Sequence, residues 1–324
     1  MAETDDLHSV RDLLRYAVTR FNSAGLAYGH GTSTALDEAA FLLLEGLKLP
    51  IEDINPWLDA RLTRSERERL LELIEARVRT RKPAPYLVGR AYVGGVPFVV
   101  DERVIVPRSY LGELILEGSL GSDGLGLVPD PSAVSRLLDL CTGSGALAIL
   151  AAGAFPDADI DAVDVSSEAL AVARLNVEAH GLAQRIALIQ GDLFAPLAGR
   201  RYDLIITNPP YVAAAEVAAF PPEYAAEPRL AHLGGKDGLD LVRTILAQAR
   251  AHLTPGGGLL CEVGTGRALL EAECDLPFLW LDTANSEGEV FWLDARQLPP
   301  PRTAHRSSHL ADSVSASMRK RSRR

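Results

Sequence analysis

Cysteine is scarce in this chain of 324 residues, and its three copies (Cys141, Cys261, Cys274) show no spacing suited to a zinc site or a redox pair. A disulfide scaffold is excluded, and the reducing cytoplasm is the compartment expected. Long apolar runs are also missing. None approaches the roughly 20 residues that a membrane-spanning helix requires, so no membrane association is expected. No N-terminal stretch has the pattern of a secretory leader. Aromatic residues make up 6% of the chain, and no basic module interleaves them. Basic residues themselves are few and badly distributed. From Pro299 onward seven Lys/Arg stand against one Asp, which leaves the body at −16 where the whole chain carries −10. Affinity for nucleic acid comes largely from neutralising phosphates, so such a body is not expected to bind nucleic acid stably. It favours a basic partner instead.

What is present is an ordinary globular composition, 47% hydrophobic and 23% charged, in a chain long enough to bury a core without staples. Apolar residues recur at helical spacing in Leu13, Leu14, Ala17, Val18 and Phe21, and again in Leu36, Ala40, Leu43, Leu44 and Leu47. A third helix opens with Thr63-Arg64-Ser65-Glu66, a capping-box pattern, and stops before Pro83. Residues 1–85 therefore read as a small helical domain suited to recognition. Gly94-Gly95 between two β-rich runs predicts a linking hairpin in 86–108. The Gly/Ser/Pro-rich stretch 117–135 is expected to be a flexible loop, and the tail 299–324, basic and without apolar periodicity, to be disordered.

Residues 109–298 alternate strand and helix. Strands are predicted at 137–141, 160–165, 186–190, 203–207 and 258–263, with Ser166 as a helix N-cap and Gly181 as a helix stop. The pattern implies a doubly wound, mostly parallel α/β sheet. Two last strands, 278–282 and 290–293, are too close for a crossover helix and must pair antiparallel. A Rossmann-like sheet of seven strands ending in such a hairpin resembles the class I methyltransferases.

The first strand runs into Asp139-Leu140-Cys141-Thr142-Gly143-Ser144-Gly145. Glycines there allow a sharp turn and close approach of a ligand to the backbone. Asp164, at the end of the second strand, is placed to accept from ribose hydroxyls. These residues alone fit either NAD or S-adenosylmethionine. Asp139 tilts the choice, because its charge would repel a pyrophosphate but suit a cationic cofactor. Asp192-Leu193, after the third strand, is placed where an adenine would lie.

After the fourth strand comes Asn208-Pro209-Pro210-Tyr211 at the ligand-binding edge of the sheet. The tetrapeptide suits a planar amide. Asn208 Oδ1 and the Pro209 carbonyl can accept both N–H bonds, and Tyr211 offers a flat face. An amide nitrogen is a poor nucleophile because its lone pair is delocalised; the rotation barrier of roughly 18–20 kcal/mol measures that resonance. It sheds its proton after methylation, so no strong base is needed and catalysis is mainly positioning.

The motif Asn-Pro-Pro-Tyr behind a glycine-rich loop resembles the methyltransferases that modify planar nitrogens, and among them the protein-glutamine N5-methyltransferases, from about Leu13 to Leu298. The branch that modifies large-subunit ribosomal protein three is the more similar. Tyr28-Gly29-His30-Gly31-Thr32, Asp101 through Ser109 and Gly112-Glu113-Leu114-Ile115 carry that likeness, as do Glu227-Pro228 and Gly234 through Leu239. The resemblance implies S-adenosylmethionine as cofactor, held by Asp139, Cys141, Thr142, Gly143, Ser144, Gly145, Asp164, Asp192, Leu193 and Asn208. It implies a catalytic and acceptor-binding set of Asn208, Pro209, Pro210 and Tyr211, with Arg108 as a candidate substrate contact or a structural ion pair. The partner implied is ribosomal protein three, alone or on the assembling large subunit. His30, between two glycines, reads as a turn residue, and Glu262 as structural.

Four rivals remain. A release-factor glutamine methyltransferase would carry an acidic, Thr-containing run after Pro107-Arg108, which is absent. A nucleobase methyltransferase would need a basic surface. An NAD-dependent oxidoreductase leaves Asn208 to Tyr211 and the terminal hairpin unexplained. From a different class, a non-catalytic ribosome-assembly factor would have no need of intact Asp139, Gly143, Gly145, Asp164 and Asn208.

Overall fold

In the computed structural model, which describes residues 6–300, the helical periodicity of the first eighty residues closes into its own core. Helix α1 (Val10–Ser23) starts from Ser9, whose side chain and that of Asp12 form a reciprocal cap. Helix α2 (Ala35–Leu47) starts from Thr34. Helix α3 (Arg64–Thr80) opens on the Thr63–Glu66 box legible in the sequence. A short α4 (Ala84–Val88) follows, with Pro83 before it and Gly89 after it in the left-handed region. Leu13, Phe21, Leu42, Leu43, Leu70 and Ile74 are fully buried among these helices. Each such side chain contributes roughly 1.5–3 kcal/mol of burial.

Strands β1 (Arg90–Val93) and β2 (Val96–Val99) pair antiparallel across Gly94-Gly95, where φ values of 54° and 81° demand glycine. Helix α5 (Tyr110–Leu116) leads to the main sheet. Its strands are β3 (Arg136–Leu140), β4 (Asp159–Asp164), β5 (Ile186–Gln190), β6 (Tyr202–Thr207), β7 (Leu253–Glu262), β8 (Leu279–Thr283) and β9 (Ser286–Asp294). The order across the sheet is β5-β4-β3-β6-β7-β9-β8. The first five are mutually parallel, and β9 and then β8 add antiparallel, as a class I methyltransferase fold requires.

Alternate residues of each strand serve opposite faces. Leu137, Ile160, Leu204 and Leu260 meet α5 and α6 (Ala146–Ala154), whereas Leu138, Val163, Ile205 and Leu259 meet α9 (Asp240–Gln248) and α10 (Arg267–Glu273). Between β4 and β5 lies α7 (Ser167–Ala179), capped by Ser166 and followed by Gly181 at φ 69°. A one-turn α8 (Ala214–Val217) follows β6. The chain order reverses at the β3–β6 junction, the switch point where open α/β sheets bind ligands. Thr207 Oγ1 donates to the Leu140 carbonyl there at 2.9 Å, tying the two strand ends together.

Two expectations need adjustment. β7 starts at Leu253, five residues early, because its first half pairs with Tyr202 across an irregularity in register. The stretch 117–135 is not a flexible loop. Leu120 and Val134 are buried in the core, and the backbone is bonded internally, from Leu125 N to Ser119 O at 2.7 Å and from Val128 N to Leu120 O at 2.8 Å. Its glycines serve turns, two of them at positive φ, rather than mobility. Of the tail expected to be disordered, 301–324 lies outside the described residues.

Candidate active site

The end of β3 turns sharply. Cys141 takes φ 60°, Gly143 φ 56° and Gly145 φ 80° before α6 begins. Left-handed backbone costs a non-glycine residue free energy, and the same applies to Leu193 at φ 46° beyond β5. Both strained residues line the cavities of this edge, Cys141 both of them and Leu193 the larger. Burial pushes the Cys141 thiol up, so it serves as an inert wall.

Two cavities open there. The larger, about 450 Å3, has Cys141, Gly143, Asp164, Asp192, Leu193, Asn208, Pro210 and the turn Pro228 to Ala231 in its walls. The smaller, about 220 Å3, has Arg108, Ser109, Cys141 to Ser144, Asn208 to Val212, Phe220, Tyr224 and His232. Ile105, Cys141, Gly143, Asn208, Pro210 and Ala231 belong to both, so one elongated ligand can span them.

The residues fit S-adenosylmethionine. A side-chain carbon added at Gly143 would meet no protein atom and would project into open space beside the cavities. Asp164 accepts the Gly143 N–H with one carboxylate oxygen and the Ser166 N–H with the other, each at 2.9 Å, and burial raises its pKa. Lone pairs remain on both oxygens for hydroxyl groups. Among the described residues Asp192 has no side-chain hydrogen-bond partner and caps no helix, which leaves its carboxylate at the cavity wall. Two carboxylates suit hydroxyls and amines and would oppose a pyrophosphate.

Asp139 and Gly145 stand apart from the other cofactor candidates, for neither lines a cavity. Asp139 is fully buried behind the loop, where Oδ2 accepts from Thr142 Oγ1 at 2.5 Å and from Ala148 N–H at 3.1 Å. Oδ1 has no partner within the described residues. Burial outweighs these bonds and pushes the carboxyl up to about 7. Gly145 packs against Ala173, where an added Cβ would lie 3.3 Å from the alanine methyl. Both brace the loop from behind, and neither is part of the wall of these two cavities.

On the acceptor side, the tetrapeptide is clamped through its backbone. Val212 N–H donates to His232 O, and Gly234 N–H to Val212 O, each at 2.9 Å. Gly234 and Gly238 pack so closely on the Pro210 and Tyr211 carbonyls that a Cβ would come within 2.7 and 2.3 Å of them. Glycine is required there for contact, which explains the run Gly234 to Gly238. Tyr211 rests its ring on Gly264 and donates to Glu262 Oε1 at 3.0 Å. Glu262 is fully buried and also accepts from Ser109 Oγ at 2.6 Å and from Tyr110 N–H at 3.0 Å. Burial pushes it up to about 7 despite those bonds. Asn208 makes no side-chain hydrogen bond within the described residues, so its amide is free at the wall the cavities share.

Arg108 is both a cavity wall and a structural ion pair. It grips the fully buried Glu227 carboxylate with two bonds of 2.7 Å, and Glu227 also meets His232 at 2.9 Å and His30 at 3.5 Å. Burial alone would raise Glu227, but these partners hold it well below the usual carboxylate range. His30 is therefore no simple turn residue, being fully buried with its ring 4.4 Å from that of Tyr224. His30, Tyr224, Glu227 and His232 were not assigned to the site by sequence reasoning. No local spacing links them; the quoted runs Tyr28 to Thr32 and Glu227-Pro228 were the only sign.

Comparison with known proteins agrees with this geometry. The Methyltransferase small domain model matches residues 126–220. The chain is 58% identical over 296 residues to the ribosomal protein uL3 glutamine methyltransferase of Bradyrhizobium diazoefficiens, covering 90% of this chain and 92% of that one. Proteins of the same name from Bordetella pertussis (52% identical; 90% of this chain, 97% of the other) and Burkholderia pseudomallei (50%; 90% and 96%) also match. Among solved structures, the hMettl16 catalytic domain in complex with an RNA hairpin aligns with a TM-score of 0.45 at 17% identity, over 78% of this chain and 88% of that one, a level that carries no argument.

Proposed function

The chain belongs to the ribosomal protein uL3 glutamine methyltransferase family, and from that premise we propose that the cavity beside Asn208 receives a glutamine side chain of ribosomal protein uL3 and methylates its amide nitrogen. The observation that carries the reading is the unengaged Asn208 amide at the wall common to both cavities, next to a tetrapeptide clamped in place.

S-adenosylmethionine, when bound, supplies an electrophilic methyl group on a sulfonium. Asp164 and Asp192 accept from its nucleoside, and Gly143 leaves the room for it. Asn208 Oδ1 and the Pro209 carbonyl accept the two N–H bonds of the glutamine amide and fix its nitrogen at the shared wall. Proline provides that carbonyl without a competing donor. Tyr211, held by Glu262, presents its ring to the planar group. No residue need remove a proton beforehand, so Asn208 and Pro209 act by positioning, an effect worth up to roughly 7–11 kcal/mol in well-oriented systems. The helical unit 1–85, joined through 86–108, recognises the protein that carries the glutamine. The acidic body suits a basic ribosomal protein.

The test is transfer of labelled methyl to separate samples of uL3, a release factor and undermethylated ribosomal RNA. Label on a uL3 glutamine is expected. Label on the release factor alone would move the chain to the sister specificity, and label on RNA alone would overturn the amide reading.

A further inference from the structure

Glu227 lies where three separate pieces of chain meet. Arg108 and the Val106 N–H reach it from the segment before α5, the latter at 3.0 Å. His232 reaches it from just before the glycine run that packs on the acceptor tetrapeptide. His30 reaches it from the loop between α1 and α2, in the helical unit. The same loop is fastened a second time. Ala27 N–H donates at 3.0 Å to Glu223, a fully buried carboxylate that also pairs with Arg81 of the helical unit at 3.1 Å.

His30 Nε2 reaches Glu227 at 3.5 Å, a long contact, and Nδ1 has no hydrogen-bond partner within the described residues. Burying an unpaired ring nitrogen is costly, and a phenylalanine or leucine would fill the space without that cost. Packing alone therefore does not account for a histidine. Its position relative to the cavities does. Arg108, His232 and Tyr224 line the smaller cavity together with Asn208 to Tyr211, and the turn directly after Glu227 lines the larger one. One carboxylate thus joins His30 to these walls.

We propose that His30 is a positioning residue for methyl transfer, acting through Glu227 to set Arg108 and His232 in the acceptor wall, so that seating of the helical unit on its protein substrate is felt at the amide bound by Asn208. The inference rests on the glutamine-methylating reading of the site.

The experiment compares wild type, His30→Phe, His30→Gln, Glu227→Gln and the double variant His30→Phe/Glu227→Gln. It measures kcat and KM for uL3, cofactor Kd by calorimetry, and the melting temperature. His30→Phe keeps a ring against Tyr224 and loses the Glu227 contact. It is expected to lower kcat/KM for uL3 about tenfold or more, with cofactor Kd within about twofold of wild type and melting little changed. His30→Gln, which can present a nitrogen where Nε2 stands, is expected to recover most of that loss. The double variant is expected to lose no more than Glu227→Gln alone, since both changes break one linkage. A fully active His30→Phe, a His30→Gln no better than His30→Phe, or additive losses would each overturn the proposal. So would losses of cofactor binding and melting temperature in step with activity. A wild type that labels no glutamine overturns the functional reading and this inference together, whereas an active wild type with any of the preceding outcomes overturns this inference alone.

Discussion

The two halves of the site are assembled differently. The half proposed to hold the nucleoside takes Gly143, Asp164, Asp192 and Leu193 from the ends of three neighbouring strands, β3, β4 and β5, each within a few residues of a strand terminus. Its shape is a property of local turns, with Cys141 and Leu193 forced into left-handed backbone. The acceptor half draws on β6, the segment before α5, the turns between 220 and 238 and, behind them, the helical unit. Its shape is a property of tertiary packing around two buried carboxylates, Glu227 and Glu262. The strand-end part of the wall is thus built locally, while the acceptor wall and the turn from Pro228 are tied through Glu227 to the helical unit.

The largest effect that separates the halves is expected from Asn208→Ala. It removes the acceptor for the substrate amide and leaves the strand-end turns intact. Turnover should fall by about a thousandfold, comparable to losing one donor of an oxyanion hole, with cofactor Kd nearly unchanged by calorimetry. Parallel loss of both would show Asn208 to be a turn residue and the halves to be one unit.

Asp164→Ala strikes the other half with a smaller expected effect. It removes an acceptor for the ribose and also releases the Gly143 N–H that fixes the loop. Cofactor Kd should rise roughly ten- to a hundredfold, because bonds to a charged group contribute about 1.5–3 kcal/mol. The kcat at saturating cofactor should change much less. Unchanged Kd would remove Asp164 from the cofactor site.

The same contrast governs what the sequence made legible. The glycine turn, Asp164 and Asp192 could be placed because they sit at fixed short distances from strands whose apolar alternation is plain. The terminal hairpin was legible because the short turn read at 285–289 leaves no room for a crossover, although β9 itself begins already at Ser286. Asn208 to Tyr211 was legible from its place after β6. Asp139 was identified, but its setting was not, since nothing local tells whether a carboxylate faces a cavity or braces the loop behind it. His30 and Glu227 lie far apart in the chain and meet only when the helical unit docks, so no spacing linked them, and only the runs Tyr28 to Thr32 and Glu227-Pro228 marked them. The stretch 117–135 misled for a related reason. Its Gly/Ser composition signals turns, and only the burial of Leu120 and Val134 shows that those turns are packed.

One buried carboxylate stands behind each half, Asp139 under the glycine loop and Glu262 under Tyr211, and both are pushed up to about 7. Their ordinary values are 3.8 and 4.5, so between those values and about 7 the folded protein holds protons that the unfolded chain has released. The stabilisation is complete below about pH 4 and is lost as pH rises through 7. The slope is at most about 1.4 kcal/mol per pH unit for each group. Over a single pH unit at neutrality the effect is smaller than that of either substitution, because each carboxyl is about half titrated by then. Urea unfolding from pH 5 to 8 should show wild-type stability falling with pH, and Glu262→Gln or Asp139→Asn should each flatten part of the fall. The two parts should be additive, because the carboxylates serve separate walls. Wild-type and Glu262→Gln curves that stay parallel across this range would show that Glu262 does not titrate there. A non-additive double variant would show that the two halves share one electrostatic unit after all.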